Sequence, residues 1–110
     1  MSAYYLGIDV GSASVRAGVF DTHGRCLAQA AQAIEQYRPR PGFVEQSSDN
    51  IWAQCVVAVR EAVGKAGIAG EAVRAIGFDA TCSLVALGEQ GVPVSAVSYT
   101  HLTLPTNREV

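Results

Sequence analysis

Two stretches of alternating apolar and polar residues open the chain and predict two strands joined by a short turn. Apolar residues occupy every second position of residues 5–10 and 14–20: Leu6, Ile8, Val10, Val15, Ala17 and Val19. A period of two is the pattern of a strand with one buried face. Pairing Val10 with Val15 sends all six side chains into one core and places Asp9 opposite Arg16 on the other face.

The segments that follow predict a third strand, a loop and a helix. An apolar stretch, Cys26–Ile34, comes after a turn at residues 21–24, which favours an antiparallel three-stranded meander. Residues 37–43 contain two prolines and a glycine and predict an extended loop. Apolar residues, Trp52 among them, then recur at three- and four-residue intervals over residues 51–66, which predicts a helix with one apolar stripe.

Turn and capping residues set the limits of this helix and of the strands after it. Ser47 or Ser48 can cap the first turn, and Gly67 can end the last turn in a left-handed conformation. Residues 73–80 and 83–87 read as two more strands. The order of elements predicts an α/β layer with a mixed sheet.

Composition narrows the class of protein. The chain has 110 residues, of which 49% are hydrophobic and 16% charged, as expected of one small folded domain. A formal net charge of −2 indicates neither a nucleic acid nor a membrane surface as partner. The three cysteines form no metal-ligand pattern, and we expect a reducing, cytoplasmic location.

The turn between the first two strands carries the candidate chemistry. The segment "GSAS", residues 11–14, offers backbone N–H groups and two hydroxyls, and successive N–H groups in a turn bind anions. A carboxylate such as Asp9 beside a phosphate commonly holds magnesium. Gly7 and Gly18 lie beneath, where glycine often marks a close approach to the backbone. A simple hairpin with a surface pair of Asp9 and Arg16 is the alternative, and the pattern leaves both open.

Three motifs carry a family resemblance. "LGIDVGSASVRAGVFD" resembles the first phosphate-binding motif of the superfamily of sugar kinases, heat-shock chaperones and actin. "PGFVEQSSDNIW" and "IGFDATCSLVAL" follow in the order found in FGGY-type carbohydrate kinases, and "TCSLV" resembles a segment of their D-ribulokinase branch. The resemblance implies a partial actin-like ATPase (ribonuclease H-like) domain. Residues 1–96 then form the amino-terminal part of the first kinase domain.

The resemblance also implies roles for individual residues. Asp9 would orient Mg2+ and its waters at the phosphates of ATP, with Arg16 beside the phosphate path. The turn that contacts the β- and γ-phosphates would comprise Gly11, Ser12, Ala13 and Ser14. The sugar pocket would be bordered by Asp79, Thr81, Cys82 and Ser83. The family more often has threonine at the position of Ser12, and glycine or a hydroxyl residue at that of Ala13. Glu45 and Gln46 lie in the loop before the helix, where they either face the cleft or solvate the loop, and the second interpretation is favoured.

The implied reaction is phosphoryl transfer from MgATP to the terminal hydroxyl of D-ribulose. The family's catalytic aspartate would lie beyond this chain, so the chain alone is expected to be inactive. The expected partner is a pentulose, with neither nucleic acid nor membrane; a homo-oligomer of the full-length enzyme is compatible with the sequence, which does not determine the oligomeric state. Two alternatives are an ATP-binding chaperone or actin-like protein of the same superfamily and a stand-alone binding module.

The last segment departs from the family pattern. Residues 97–110, "VSYTHLTLPTNREV", have no counterpart in these kinases and resemble a translated sequencing adapter. The kinase segment is therefore expected to end near Ala96, and a divergent end of the same protein is the alternative.

Overall fold

The structure is a computed structural model that describes residues 2–81 and 85–93 and the backbone of residues 97–98. The elements in chain order are β1 (Tyr4–Val10), β2 (Ser14–Phe20), β3 (Cys26–Ala33), β4 (Glu45–Gln46), α1 (Ser48–Ala66), a 3-10 turn (Gly70–Ala72), β5 (Val73–Ala80) and β6 (Val97–Ser98). Within the described residues, no helix combines the length and the apolarity needed to cross a membrane.

Four strands form one mixed sheet in the order β3-β2-β1-β5. β1 runs antiparallel to β2 and parallel to β5, and β2 runs antiparallel to β3. The predicted meander and its register are confirmed, because Val10 pairs with Val15 and Asp9 pairs with Arg16. The apolar side chains of both strands therefore share one face, as the period of two requires.

α1 covers that face and completes the core. Its buried residues, Cys55, Ala58 and Ala62, are small and bring the helix close to the sheet. Ser47 is the N-cap, since its Oγ accepts a hydrogen bond from the Asn50 N–H at 3.2 Å. Burial of Cys55 raises the pKa of its thiol, because an apolar environment disfavours the thiolate.

One expectation about the core differs from the structure. Trp52 belongs to the predicted apolar stripe, yet its side chain is 66% exposed. α1 packs mainly over β2 and β3, so the part of β5 facing the same side is left uncovered, with Ile76 55% and Phe78 63% exposed. We call Trp52, Ile76 and Phe78 the apolar strip; they border a groove of about 330 Å³ between α1 and β5.

The prediction of a strand at residues 83–87 is wrong for residues 85–87, the part of it that the structure describes. Val85 and Ala86 belong to no strand, and Leu87 forms an isolated bridge with Pro93. The intervening turn is closed by a hydrogen bond from the Gly88 N–H to the Val92 carbonyl, at 2.8 Å. Residues 87–93 therefore pair with themselves and add no strand to the sheet.

A second, two-stranded sheet lies next to the turn between β1 and β2. β4 pairs antiparallel with β6, so Glu45 lies opposite Ser98 and Gln46 opposite Val97. The backbone of Glu45 also exchanges two hydrogen bonds with that of Tyr37, both at 2.7 Å. β4 therefore has a backbone partner on each side, Tyr37 on one and β6 on the other, and these pairings set the position of Gln46. The rest of the predicted tail, residues 99–110, lies outside the described residues.

Candidate functional site

An open cleft lies on the face of the main sheet opposite α1. It has a volume of about 470 Å³ and is lined by residues of three strands and by one residue of β3: Gly7, Ile8, Asp9, Arg16, Ala17, Gly18, Phe20, Gly77, Phe78, Asp79 and Gln29. The carboxyl ends of the parallel strands β1 and β5 meet at one end of it. Ligands of α/β sheets bind at this edge.

Asp9 and Arg16 lie side by side on β1 and β2 and both are exposed to the cleft. Two ion pairs form within residues 2–81 and 85–93, and they join Arg25 to Asp21 and Lys65 to Glu61. The alternative of a surface pair between Asp9 and Arg16 is therefore not what the structure forms. Both charged groups remain available to a ligand with anionic and metal-binding parts.

The structure explains the two glycines beneath Asp9 and Arg16 by a contact within the chain and not by the approach of a ligand. A β-carbon on Gly18 would lie 3.0 Å from Phe20 Cε1, and one on Gly7 would lie 3.4 Å from the same atom. The group that approaches the backbone there is the Phe20 ring, which lies along the strands on that face. Gly77, across the cleft on β5, has no atom within 4 Å of its β-carbon position and leaves open space.

Backbone hydrogen bonds hold the turn of residues 11–14 in place. The Gly11 N–H donates to the Ser14 carbonyl at 2.9 Å and closes the hairpin. The Gly11 N–H therefore helps to close the turn, and the predicted place of Gly11 in the turn that contacts the phosphates stays a prediction. The Ala13 carbonyl accepts from the Ile34 N–H at 2.9 Å, and Ser14 begins β2 opposite Ala33.

Two glutamines contact this turn, and the sequence analysis missed them. Gln36 Nε2 donates to the Ser12 carbonyl at 2.8 Å, and Gln46 Nε2 donates to the same oxygen at 2.7 Å. The Gln46 side chain is 1% exposed, so its interpretation as a solvated loop residue is wrong. The available signal was its position inside the segment "PGFVEQSSDNIW", which carries the family resemblance.

Two of the predicted sugar-pocket residues, Asp79 and Thr81, lie at the end of β5. Asp79 pairs in register with Asp9 and lines the cleft. The Thr81 N–H donates to the Val10 carbonyl at 3.1 Å and extends the pairing of β1 and β5 by one residue. Cys82 and Ser83 lie outside the described residues, and their roles stay predictions.

The acidic residues of the cleft fit a magnesium ion in type and number. Asp9 and Asp79 are neighbours across the β1–β5 pair, and carboxylate oxygens are the protein ligands that Mg2+ prefers. The described part of the chain holds no cluster of three or more histidine, cysteine or acidic side chains that forms a metal cage. Mg2+ in phosphoryl-transfer enzymes is typically held by one or two carboxylates, waters and the substrate phosphates.

Comparison with known proteins places these observations in context. Residues 4–99 match the model of the N-terminal domain of the FGGY family of carbohydrate kinases. An FGGY carbohydrate kinase domain-containing protein of Homo sapiens is 44% identical over 106 residues, which are 96% of this chain and 17% of that protein.

Two further relatives are named for their substrates. A glycerol kinase of Verminephrobacter eiseniae is 49% identical over 75 residues, covering 68% of this chain and 15% of that enzyme. A D-ribulokinase of Saccharomyces cerevisiae is 45% identical over 82 residues, covering 74% of this chain and 12% of that enzyme. The chain thus spans less than a fifth of the length of these relatives.

Solved structures share the fold. A gluconate kinase of Lactobacillus acidophilus superposes with a TM-score of 0.80 at 20% identity, over 88% of this chain and 19% of that one. A xylulose kinase of the same species superposes with a TM-score of 0.78 at 21% identity, over 86% of this chain and 19% of that one. The predicted α/β architecture of the actin-like type is confirmed.

Proposed function

Because this chain belongs to the FGGY family of carbohydrate kinases, we propose that the protein containing it transfers the terminal phosphoryl group of ATP to a hydroxyl group of D-ribulose. One observation carries the proposal. The Asp9 carboxylate, the Arg16 guanidinium and the Asp79 carboxylate line one open cleft at the carboxyl ends of β1 and β5.

The β1–β2 side of the cleft has the groups that a triphosphate needs. Asp9 would hold Mg2+ through its carboxylate, and the bound ion would offset negative charge on the phosphates. Ser12, Ala13 and Ser14 would contact the phosphates from the turn, and Arg16 would add a positive charge nearby. Catalysis of phosphoryl transfer depends chiefly on such positioning and charge stabilisation.

The end of β5 has groups suited to a polyhydroxylated substrate. A carboxylate at Asp79 and a hydroxyl at Thr81 accept and donate hydrogen bonds to sugar hydroxyls. Cys82 and Ser83 follow directly in the sequence and would continue this border. The choice of D-ribulose is supported by the segment "TCSLV" and by the 45% identity to the yeast D-ribulokinase.

Glycerol is the second candidate substrate. The relative from Verminephrobacter eiseniae that is named a glycerol kinase is 49% identical, although over a shorter stretch of 75 residues. Both reactions use the same phosphate half of the cleft, so the described residues favour kinase chemistry more strongly than either acceptor. The catalytic base and the opposite wall of the cleft would come from other parts of the protein.

Substrate profiling of the full-length protein tests the proposal. ADP release is measured with saturating MgATP and a panel of D-ribulose, L-ribulose, D-xylulose, D-gluconate and glycerol. We expect D-ribulose to give the highest kcat/KM. A higher kcat/KM for glycerol would make glycerol the acceptor and leave the kinase assignment intact. ADP release that no acceptor stimulates would contradict the kinase assignment and favour a chaperone-like or actin-like ATPase.

A further inference from the structure

We propose that Gln46 and Gln36 are positioning residues that fix the phosphate-binding turn by holding the Ser12 carbonyl from two sides. Gln46 Nε2 lies 2.7 Å and Gln36 Nε2 lies 2.8 Å from this oxygen. The inference rests on the proposed kinase function, which makes residues 11–14 the contact to the phosphates.

A carbonyl oxygen has two lone pairs, and here each can meet one amide donor. The two glutamines reach it from different parts of the chain, 24 and 34 residues away in sequence. Both therefore act on one peptide group, and together they restrict the direction in which the Ser12 carbonyl points. A single donor would leave the peptide free to tilt about that hydrogen bond.

The direction of the Ser12 carbonyl also fixes the direction of the Ala13 N–H. The peptide bond is planar and trans, so the N–H of Ala13 points opposite to the carbonyl of Ser12. Holding that oxygen toward the glutamines directs the Ala13 N–H away from them. The next peptide group is held as well, because the Ala13 carbonyl accepts from the Ile34 N–H at 2.9 Å. The turn is thus arranged before a ligand arrives, which lowers the entropic cost of binding.

Gln46 itself is held firmly. Its side chain is 1% exposed, and its backbone pairs with Val97 in the β4–β6 ladder. A buried carboxamide without a partner would be costly, so the hydrogen bond to Ser12 is favoured over solvation of the side chain. Ser47, the next residue, caps α1. The turn is therefore connected through one short segment to the start of the helix.

The test uses Gln46→Glu and Gln36→Glu in the full-length protein. Each keeps the size of the side chain and replaces the donating NH2 group by an accepting oxygen, which repels the Ser12 carbonyl. Gln36 is only partly buried, so its variant provides a second measurement if burial of a charge at position 46 prevents folding. Gln90→Glu, the same change in an exposed turn, is the matched control.

Three constants are measured for each variant: the KM for ATP, the KM for the sugar, and the Kd for a non-hydrolysable ATP analogue in the absence of sugar. We expect the KM and Kd for the nucleotide to rise about tenfold for either glutamine variant, as one lost hydrogen bond implies. The sugar KM should stay within about twofold, and Gln90→Glu should match the wild type.

The outcomes separate this inference from the proposed function. An inactive wild-type protein would contradict the kinase assignment itself. An active wild type whose folded variants keep the nucleotide KM and Kd within twofold would overturn the positioning role. Equal changes in the constants for nucleotide and sugar would also overturn it, because they indicate a general structural defect.

Discussion

The ring of Phe20 lies against the backbone of Gly18 two residues earlier in β2, so close that a β-carbon on residue 18 would stand 3.0 Å from Phe20 Cε1. The same ring also limits residue 7 on the neighbouring strand, where the distance would be 3.4 Å. Phe20 thereby covers the glycine pair that forms the floor of the cleft below Asp9 and Arg16. An aromatic ring placed over glycine in a sheet restores packing that the missing side chain would have provided.

Gly18→Ala should destabilise the full-length protein, because the new methyl group displaces the Phe20 ring. We expect a loss of about 1 kcal/mol in the free energy of unfolding, at the lower end of the range for overpacking. Urea denaturation measures it, with Gly77→Ala as the control, since nothing lies within 4 Å of a β-carbon there. An equal loss in both variants would show that the Phe20 contact is not the cause.

Asp9→Asn should remove most of the kinase activity and leave the fold unchanged. The amide keeps the shape of the side chain but binds Mg2+ much more weakly than a carboxylate does. A decrease in kcat/KM on the order of 100-fold or more is expected, comparable to the loss of an electrostatic group at a reacting centre. Asp49→Asn removes the same charge from an exposed position on α1 and should keep full activity. Full activity of the Asp9 variant would contradict the proposed magnesium role.

Alanine at Gly64, inside α1, and alanine at Gly67, its C-cap, should change the stability of the protein in opposite directions. Gly64 is exposed inside the helix with open space around it, so Gly64→Ala should stabilise the protein by about 0.5–1 kcal/mol. Gly67 ends the helix at φ 68, a conformation that alanine adopts at a cost, so Gly67→Ala should destabilise it by about 1 kcal/mol. Thermal unfolding of both variants measures the pair. Stability changes in the same direction for both variants would contradict the assignment of Gly67 as the C-cap.

The turn between β2 and β3 predicts a dependence of stability on pH. The Arg25 N–H donates to Asp21 at 3.0 Å, and the His23 N–H donates at 2.9 Å. These contacts, chiefly the backbone hydrogen bond from Arg25, hold the pKa of Asp21 below its ordinary value of 3.8. Its ionised form is therefore preferred in the folded state. The resulting stabilisation is fully present above pH 3.8 and is lost as the pH falls through the lowered folded pKa.

Comparison with Asp21→Asn isolates this contribution. At neutral pH the wild type should have the higher unfolding midpoint, and the difference should shrink as the pH is lowered below 3.8. Asp49→Asn, in the first turn of α1, controls for the loss of a surface charge. A difference between wild type and Asp21→Asn that stays constant down to the acid transition would contradict the assignment.

The sequence predicts the register of the first hairpin because two constraints agree. The alternation around Leu6 and that around Val19 each define a buried face, and only one pairing aligns them. Gly67 and Ser47 are likewise predictable, since caps depend on neighbouring residues alone. These features are local in sequence, and the structure reproduces them.

The features that were missed depend on contacts distant in sequence or on the extent of the sheet. Gln46 reaches Ser12 across 34 residues, and hydrophobic periodicity does not distinguish it from a solvated glutamine. Trp52 follows the helical period correctly, but α1 covers β2 and β3 more fully than β5, so its side chain stays 66% exposed. Periodicity gives the direction of a side chain and not the size of the surface opposite it.

The apolar strip of Trp52, Ile76 and Phe78 has a practical consequence for anyone producing residues 1–110 by themselves. Among the strands that the structure describes, β5 is an outer strand of the four-stranded sheet, and two of these side chains lie on it beside its outer edge. A strand edge with bare aromatic and aliphatic groups is a template for joining another molecule. We expect the isolated polypeptide to self-associate as its concentration rises, and mild detergent to keep it monodisperse.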